Sequence, residues 1–326
     1  MNSTKGISVR NARLSAAAGL AAVALLLAAC GGQSADPTNT EDGSLSGSVT
    51  IDGSSTVAPL SEAAATLFRD IEPGVNVTVG TSGTGGGFEK FCAGETDISD
   101  ASRPIKPEEA DICEANGIEF TEIVIANDGL SVVVSKDNDW AKCLTVEQLQ
   151  TIWSPESEGT VTNWNQVDPS FPDEPLALFG AGTDSGTFDY FTEAINGEEG
   201  AIRVDYSPSE DDNVIVQGVA GSAGGIGFFG LSYAEENLDV LNLVQVDGGA
   251  GCVTPTIPTV QDGSYTPLGR PLFIYVADAS YSDKPQVRAF VDYYVEQAAA
   301  VSELALFVPL TTAQIEIARE ELASLL

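Results

Sequence analysis

The stretch that decides the fold is SVTIDGSSTVAPLSEAAATLFR, residues 48–69. Residues 48–51 are typical of a short β-strand, and the hydroxyl-rich segment at 53–56 is typical of a turn. Apolar residues then recur at helical spacing over about 58–69. The stretch therefore predicts a strand, a turn and a helix, which is the unit from which α/β folds are built.

The same unit recurs along the chain. A strand at 75–79 precedes a glycine-rich turn at 81–87 and a helix, and a strand at 176–179 precedes a third turn at 183–187 and a helix. Further strands are predicted at 118–125, 130–135 and 271–276, and further helices begin at 145 or run over 286–299 and 312–325. This alternation predicts an α/β fold of mixed, mostly parallel sheets flanked by helices, and the chain length is typical of two lobes.

Composition excludes several classes of protein. The 326 residues contain 48 Asp and Glu against 14 Lys and Arg, a formal net charge of -34, and no histidine. A surface this acidic repels phosphate backbones, which excludes nucleic-acid binding. The lack of histidine excludes Ser-His-Asp and Cys-His nucleophile pairs and His-ligated metal sites. Because 43% of the residues are hydrophobic, the acidity indicates a solubility device, suited to a salty medium, rather than disorder.

The N-terminus has the pattern of an export signal. Basic residues precede an apolar run over 16–29, which ends at Cys30. Small residues before a cysteine are typical of a lipoprotein signal peptide, and the alternative, a transmembrane anchor, usually needs a longer run. We therefore predict a signal peptide at 1–29 and a flexible tether at 30–46. Lipidation of Cys30 would anchor the protein outside the cytoplasm, on the outer face of the cytoplasmic membrane or in a periplasm.

Each of the three turns opens a helix at the end of a strand. Such a turn offers unpaired backbone N–H groups, the positive end of a helix dipole and hydroxyl donors, which together suit a tetrahedral oxyanion. Any single turn has ordinary helix capping as its alternative. Three in one chain favour a shared site, because ligands of α/β folds bind beyond the carboxyl ends of the strands. The sequence has no G-x-x-x-x-G-K-[ST] motif, which excludes a P-loop ATPase.

Six segments carry a family resemblance: GSSTVAP at 53–59, SGTGGG at 82–87, DASRPI at 100–105, TDSGTFDYF at 183–191, GGIGFFG at 224–230 and RPLFIYV at 270–276. Together they resemble the phosphate-binding proteins (PstS type) of bacterial ABC phosphate importers. The resemblance implies a two-lobed, periplasmic-binding-protein-like fold, a type II Venus flytrap whose chain crosses between the lobes more than once. We expect lobe one at 47–126 plus 271–326 and lobe two at 127–270.

The same resemblance implies a function. The protein would be a monomeric substrate-binding protein, not an enzyme, that captures inorganic phosphate between its lobes and delivers it to an ABC permease in the membrane, with no cofactor and no metal. A receptor for sulfate or molybdate is the main alternative. A secreted phosphatase using Ser55 or Ser185 would lack a base or a metal. A surface adhesion protein would leave the three turns without a role.

The resemblance also implies a set of ligands. Those on the turns and beside them are Ser54, Ser55, Thr56, Thr84, Gly85, Ser102, Ser185, Gly186 and Thr187. The best-studied branch of the family has an arginine where this chain has Ala181 and an aspartate where it has Ser102. Arg103 is predicted to supply the missing cation, since a guanidinium suits bidentate phosphate contact. The alternative for Arg103 is an ion pair within this acidic protein.

A carboxylate in the site would discriminate protonated phosphate from fully ionised sulfate, because two unprotonated anions repel each other. Asp128 is the preferred candidate, since it lies at the predicted crossover between the lobes. Asp184 and Asp100 are the others. The alternative for Asp128 is a structural carboxylate in an Asp-Gly turn.

Four cysteines remain besides Cys30, namely Cys92, Cys113, Cys143 and Cys252. An even number in an exported protein indicates two disulfides, for which three connectivities exist, and free buried thiols are the alternative. The expected lobes favour Cys92–Cys113 and Cys143–Cys252, because each pair then falls within one lobe.

Overall fold

The computed structural model describes residues 44–183 and 185–325. The predicted signal peptide, Cys30 and Asp184 lie outside the described residues. The strands are β1 Gly47–Gly53, β2 Val75–Gly80, β3 Ile98–Ala101, β4 Phe120–Ser135, β5 Cys143–Thr145, β6 Ala177–Ala181, β7 Ser207–Ser209, β8 Gly225–Gly230, β9 Leu241–Leu243, β10 Gln245–Asp247, β11 Cys252–Val253 and β12 Gly269–Ala277. The helices are α1 Ala58–Arg69, α2 Gly83–Cys92, α3 Pro107–Ala115, α4 Val146–Trp153, α5 Trp164–Val167, α6 Gly186–Asn196, α7 Asp212–Ala220, α8 Leu231–Glu236, α9 Ile257–Gln261, α10 Asp278–Asp283, α11 Pro285–Glu296, α12 Ala298–Leu304 and α13 Thr312–Ala323.

The strands form one long mixed sheet and one small sheet. The long sheet has the order β2-β1-β3-β12-β4-β8-β6-β7, with β9 also paired to β4, and the small sheet has the order β11-β10-β5. Parallel pairs lie on the two flanks, where β1 joins β2 and β3 and where β6 joins β7 and β8. Antiparallel pairs lie at the centre, around β12 and β4. The predicted mixed α/β fold with flanking helices is confirmed.

Strand β4 runs through both halves of the long sheet. The sequence predicted two strands at 118–125 and 130–135, but the structure has one strand of 16 residues. The intervening Asp128 and Gly129 stay extended because they pair with Arg270 and Gly269 of β12, so the alternative of an Asp-Gly turn is wrong. From Leu130 onward β4 pairs with β8 instead.

Each half of the long sheet has its own buried core. On β12, Ile274 and Tyr275 belong to different apolar clusters, and on β4 the same holds for Val132 and Val133. Because neighbouring residues of a strand point to opposite faces, each half is covered by apolar side chains on both faces. We call the half formed by β2, β1, β3, β12 and the start of β4 lobe one, and the half formed by the end of β4, β8, β6 and β7 lobe two. The residue limits given above for the lobes stay a prediction.

Both predicted disulfides are present. Cys92–Cys113 joins α2 to α3, and Cys143–Cys252 joins β5 to β11, with sequence separations of 21 and 109 residues. Cross-links of this kind stabilise the fold chiefly by restricting the unfolded chain, the more so for the longer loop.

A separate observation concerns the helices of the described ranges, none of which combines the length and the apolar character needed to cross a membrane.

Candidate functional site

The first and third hydroxyl-rich turns meet between the lobes. The Thr56 hydroxyl donates to the Gly186 carbonyl at 3.4 Å, although the two residues are 130 positions apart. Beside it, the Ser55 hydroxyl donates to the Asp189 carboxylate at 3.3 Å. A Cβ added at Gly186 would lie 2.6 Å from Thr56 Oγ1 and 2.8 Å from Thr56 Cα. Only glycine therefore allows this approach of the two turns.

Local geometry explains the first turn. Gly53 has φ 151°, and a Cβ there would lie 2.1 Å from the carbonyl oxygen of Asp100. That carbonyl accepts from the Ser54 N–H at 2.9 Å, so the end of β1 is fastened to the end of β3. The Ser54 hydroxyl in turn accepts from the Thr56 N–H at 3.2 Å. The turn is held rigidly, which fixes where its hydroxyl groups lie.

The third turn begins α6. The Ser185 hydroxyl accepts from the Thr187 N–H at 3.2 Å, which makes Ser185 the N-cap of the helix. Gly186 and Thr187 are the first residues of α6, where backbone N–H groups have no partner within the helix and the helix dipole is positive. Capping and anion binding are therefore compatible here, because the cap uses one N–H and leaves the helix end open to the cleft.

The second turn contributes a hydroxyl to the same region. The Thr84 hydroxyl lies 3.1 Å from the Ser102 hydroxyl and accepts from the Ser102 N–H at 3.2 Å. This links the start of α2 to the segment after β3. Gly85 lies beside them, where an added Cβ would be 3.9 Å from a terminal nitrogen of Arg103. The predicted residues of the second turn are thus close together in lobe one.

Two cavities share Ser55 and Thr56 of the first turn. The larger, about 260 Å³, is lined by Ser55, Thr56, Pro59, Asp128, Gly129, Ser185, Gly186, Thr187, Asp212, Gly230, Leu231, Ser232, Tyr233, Ala305, Leu306, Phe307 and Val308. The smaller, about 30 Å³, is lined by Ser54, Ser55, Thr56, Gly83, Thr84, Ser102, Asp189, Tyr190, Glu193, Glu199 and Arg270. The first turn therefore lines both cavities, whereas the second turn lines the smaller one and the third turn lines the larger one.

Arg103 forms an ion pair, which the sequence analysis gave as the alternative to binding an anion. Its two terminal nitrogens donate to the two carboxylate oxygens of Glu109 at 2.8 and 2.7 Å. Glu109 also accepts from the backbone N–H of Lys106 at 2.8 Å. A contact between Arg103 and a bound anion stays a prediction.

Arg270 is a cation of the cleft that the sequence analysis missed. Its Nε donates to Asp128 Oδ2 at 3.3 Å, and its Nη2 donates to Thr56 Oγ1 at 3.3 Å. Its guanidinium carbon lies 3.4 Å from the centre of the Tyr190 ring. The side chains of Arg270 and Asp128 are only 13% and 7% exposed. In the sequence, Arg270 stood out only as the first residue of the segment RPLFIYV. The ion pair of Arg270 with Asp128 could not be recognised there, because the two residues are 142 positions apart.

The carboxyl groups named as candidates have different surroundings. Burial raises the pKa of Asp128, and the Arg270 guanidinium opposes that rise only in part. Asp128 lines the larger cavity. Asp100 lies behind the first turn, fully buried, where the Ser61 hydroxyl donates to it at 2.8 Å and burial raises its pKa to about 8. Of the two candidate carboxyl groups that the structure describes, Asp128 is the one that reaches the cleft.

The smaller cavity mixes donors with acceptors. Hydroxyl groups and Arg270 provide donors, whereas Asp189, Glu193 and Glu199 provide carboxylates. Burial raises the pKa of Asp189 and of Glu199. Such a set suits an anion that itself carries a proton, because carboxylates accept hydrogen bonds and repel a bare dianion. Within the described residues no group of three or more His, Cys, Asp or Glu is arranged to hold a metal ion.

Comparison with known proteins gives the family. The model of the PBP superfamily domain matches residues 38–298. Protein SphX of Synechocystis sp. is 47% identical over 292 residues, which cover 90% of this chain and 85% of that protein. The phosphate-binding protein PstS of Staphylococcus saprophyticus is 42% identical over 287 residues, which cover 88% of this chain and 86% of that protein. The crystal structure of a possible phosphate binding protein from Planctomyces limnophilus superposes with a TM-score of 0.82 at 44% identity, covering 87% of this chain and 100% of that one. With its hydroxyl-lined cleft between two lobes, this chain belongs to the PBP superfamily, in the family of the PstS and SphX proteins.

Proposed function

We propose that this protein captures inorganic phosphate in the cleft between its lobes and delivers it to an ABC permease. The observation that carries the proposal is the meeting of the Ser54–Thr56 turn with the open N-terminus of α6, beside a buried guanidinium. Hydroxyl groups, helix N-termini and arginine are the donors that bind tetrahedral oxyanions in proteins. The phosphate-binding PstS relative, at 42% identity, supports phosphate as the anion.

The proposed ligands are the groups named from the sequence, most of which line one or both of the two cavities. They are Ser54, Ser55, Thr56, Thr84, Gly85, Ser102, Ser185, Gly186 and Thr187, with Asp128 as the acceptor and Arg103 as a predicted further cation. On binding, the hydrogen bonds that Ser55 and Thr56 now give to lobe two would be exchanged for bonds to phosphate oxygens. Closure of the lobes around the anion would then be the signal that the permease recognises.

The remaining parts of the proposal concern the cell. We propose that residues 1–29 are removed as a signal peptide and that a lipid on Cys30 holds the monomeric protein at the membrane, outside the cytoplasm. The tether at 30–46 would let the binding module reach its permease. We further propose that the protein is a carrier and not an enzyme, since the cleft presents no histidine and no described metal cluster to activate a nucleophile.

Calorimetric titration of protein freed of phosphate tests the ligand. We expect phosphate to bind at one site per chain, and sulfate and molybdate to release little or no heat at the same concentrations. Heat with sulfate or molybdate and none with phosphate would assign the cleft to that other oxyanion. Incubation with a chromogenic phosphate ester serves as the control for catalysis, and we expect no turnover.

The variant Asp128→Asn is expected to reduce the preference for phosphate over sulfate at least about tenfold. A carboxylate can only accept the proton of a hydrogen phosphate, whereas an amide can also donate to sulfate. The ratio of the two dissociation constants, measured by calorimetry at neutral pH, is the readout. Asp139→Asn, an exposed aspartate in lobe two, is the control. An unchanged ratio in Asp128→Asn would show that another group accepts the hydrogen bond from the protonated phosphate oxygen.

A further inference from the structure

We propose that Arg270 is the cation that fixes the anion in the cleft, and that its position at the crossing of the lobes makes closure depend on the same side chain. This inference rests on the proposed function, because it assumes that the cleft binds an oxyanion. It goes further by assigning the charge compensation to a residue that lies outside all three hydroxyl-rich turns.

The charges around the cleft favour Arg270. Among the described residues that line the smaller cavity, it is the one basic side chain, and it faces Asp189, Glu193 and Glu199. The guanidinium of Arg103, at the edge of the cleft, has both terminal nitrogens on Glu109. Within the described residues, Arg270 gives only its Nε to a carboxylate, Asp128, and its Nη2 reaches a hydroxyl of the first turn. An anion that enters between the turns would therefore find its positive charge at Arg270, because the terminal N–H groups of that guanidinium are held by no described carboxylate.

The surroundings of Arg270 hold its donors in place. Asp128 accepts from Nε, and the face of the guanidinium stacks 3.4 Å from the centre of the Tyr190 ring. Nη2 points to Thr56 Oγ1 at 3.3 Å, which is a group of the first turn. A guanidinium presents its donors in a planar fork, so fixing Nε and the plane also fixes the direction of the remaining N–H groups. That direction is toward the first turn.

The same residue contacts both lobes. Arg270 lies opposite Asp128 in the pairing of β12 with β4, just before β4 changes its partner from β12 to β8. From there it contacts Thr56 of lobe one and Tyr190 of lobe two. If the lobes separate, the guanidinium cannot keep both contacts. An anion bound to Arg270 would therefore hold the guanidinium against Tyr190 and favour the closed arrangement.

Two arginine variants of the full chain test the proposal. Arg270→Gln is expected to weaken phosphate binding about 30-fold, since charge-assisted hydrogen bonds in a desolvated site are lost. Arg270→Lys is expected to lose about fivefold to tenfold, because an ammonium keeps the charge without the fork. Arg288→Gln is the matched control, because Arg288 also stacks on a tyrosine, Tyr281, on helices outside the cleft, and we expect no more than about a twofold change there.

The competing cation is tested in the same titration series. Arg103→Gln is expected to cost less affinity than Arg270→Gln. The opposite order would overturn the proposal and assign the charge to Arg103. If wild-type protein binds phosphate and Arg270→Gln binds as well as the Arg288→Gln control, the proposal is wrong while the proposed function stands. If wild-type protein gives no heat with phosphate, the proposed function itself is wrong.

A double variant separates loss of the cation from damage to the fold. Arg270→Gln leaves Asp128 buried without its partner, which destabilises a protein in its own right. Arg270→Gln combined with Asp128→Asn removes both charges, and we expect it to melt close to wild type and still bind phosphate weakly. Recovery of wild-type affinity in the double variant would overturn the assignment of the cation.

Small-angle X-ray scattering tests the link to closure. Wild-type protein is expected to contract when saturated with phosphate. Tyr190→Leu, which removes the ring under the guanidinium, is expected to contract less at saturation, whereas Tyr190→Phe is expected to contract like wild type. Equal contraction in all three proteins would overturn the link between Arg270 and closure.

Discussion

Replacing Gly186 with alanine is expected to weaken phosphate binding about 100-fold while the fold survives. The added Cβ would lie 2.6 Å from Thr56 Oγ1, 2.8 Å from Thr56 Cα and 3.0 Å from the Thr56 backbone nitrogen. The first turn cannot move aside, because the Ser54 N–H is bonded to the Asp100 carbonyl. The lobes must therefore open. Overpacking of this kind typically costs about 1–3 kcal/mol, and this cost reduces the free energy gained when the lobes close on phosphate.

Calorimetry measures the phosphate affinity of Gly186→Ala, and thermal melting measures its stability. The melting temperature is expected to change little, because the clash arises only where the two lobes meet and alanine is a good residue for the start of a helix. Gly230→Ala is the matched control, since Gly230 lines the larger cavity but an added Cβ there meets no atom within 4 Å. Binding by Gly186→Ala at wild-type strength would show that the first and third turns do not meet in the phosphate-bound protein.

The second large effect concerns stability and pH, at Asp100. Burial raises the pKa of this carboxyl from 3.8 to about 8, and the nearby charges of Asp52 and Glu62 act in the same direction. The Ser61 hydroxyl donates to one carboxyl oxygen and itself lies 3.3 Å from the Tyr294 hydroxyl. Between the two pKa values the folded state binds more protons than the unfolded state. The free energy of unfolding therefore falls as the pH rises through this range, by about 1.4 kcal/mol per pH unit from this group.

Asp100→Asn is expected to remove that slope. The amide cannot ionise and matches the shape of the protonated carboxyl, so the variant should be more stable than wild type at pH 8 and similar to it near pH 4. Urea unfolding at several pH values is the measurement, and the difference between the two proteins cancels the contributions of all other groups. Asp139→Asn, exposed in lobe two, is the control. Parallel curves for wild type and Asp100→Asn would contradict the prediction.

Local features of the fold could be predicted from the sequence. Helix α1 has the predicted limits, Ala58–Arg69, because the turn before it and the spacing of its apolar residues can both be recognised from neighbouring residues. The same is true of the helix predicted to begin at 145, where the Thr145 hydroxyl caps α4 by accepting from the Gln148 N–H at 3.2 Å. The two disulfides followed from assigning the cysteines to lobes. These predictions needed only neighbouring residues or the order of the elements.

Contacts between distant strands could not be predicted in this way. The segment 127–129 has the composition of a turn, but its pairing with β12 overrides that local preference. Arg270 and Asp128 become partners through the same pairing, and no pattern of residue spacing in the sequence indicates this contact. The partner of Arg103 was within reach, since Glu109 lies at the start of α3, where an acidic residue is favoured. The sequence analysis preferred an anion as the partner of Arg103 and gave a carboxylate as the alternative, and the structure shows the carboxylate of Glu109.

The placement of β12 has a consequence for how the chain is assembled. Because β12 lies between β3 and β4, the first three strands stay separate from the rest of the long sheet until residues 269–277 have been made. The strands of lobe two follow β4 without such a gap. Lobe two can therefore condense first, whereas β1, β2 and β3 lack their neighbour β12 until near the end of synthesis.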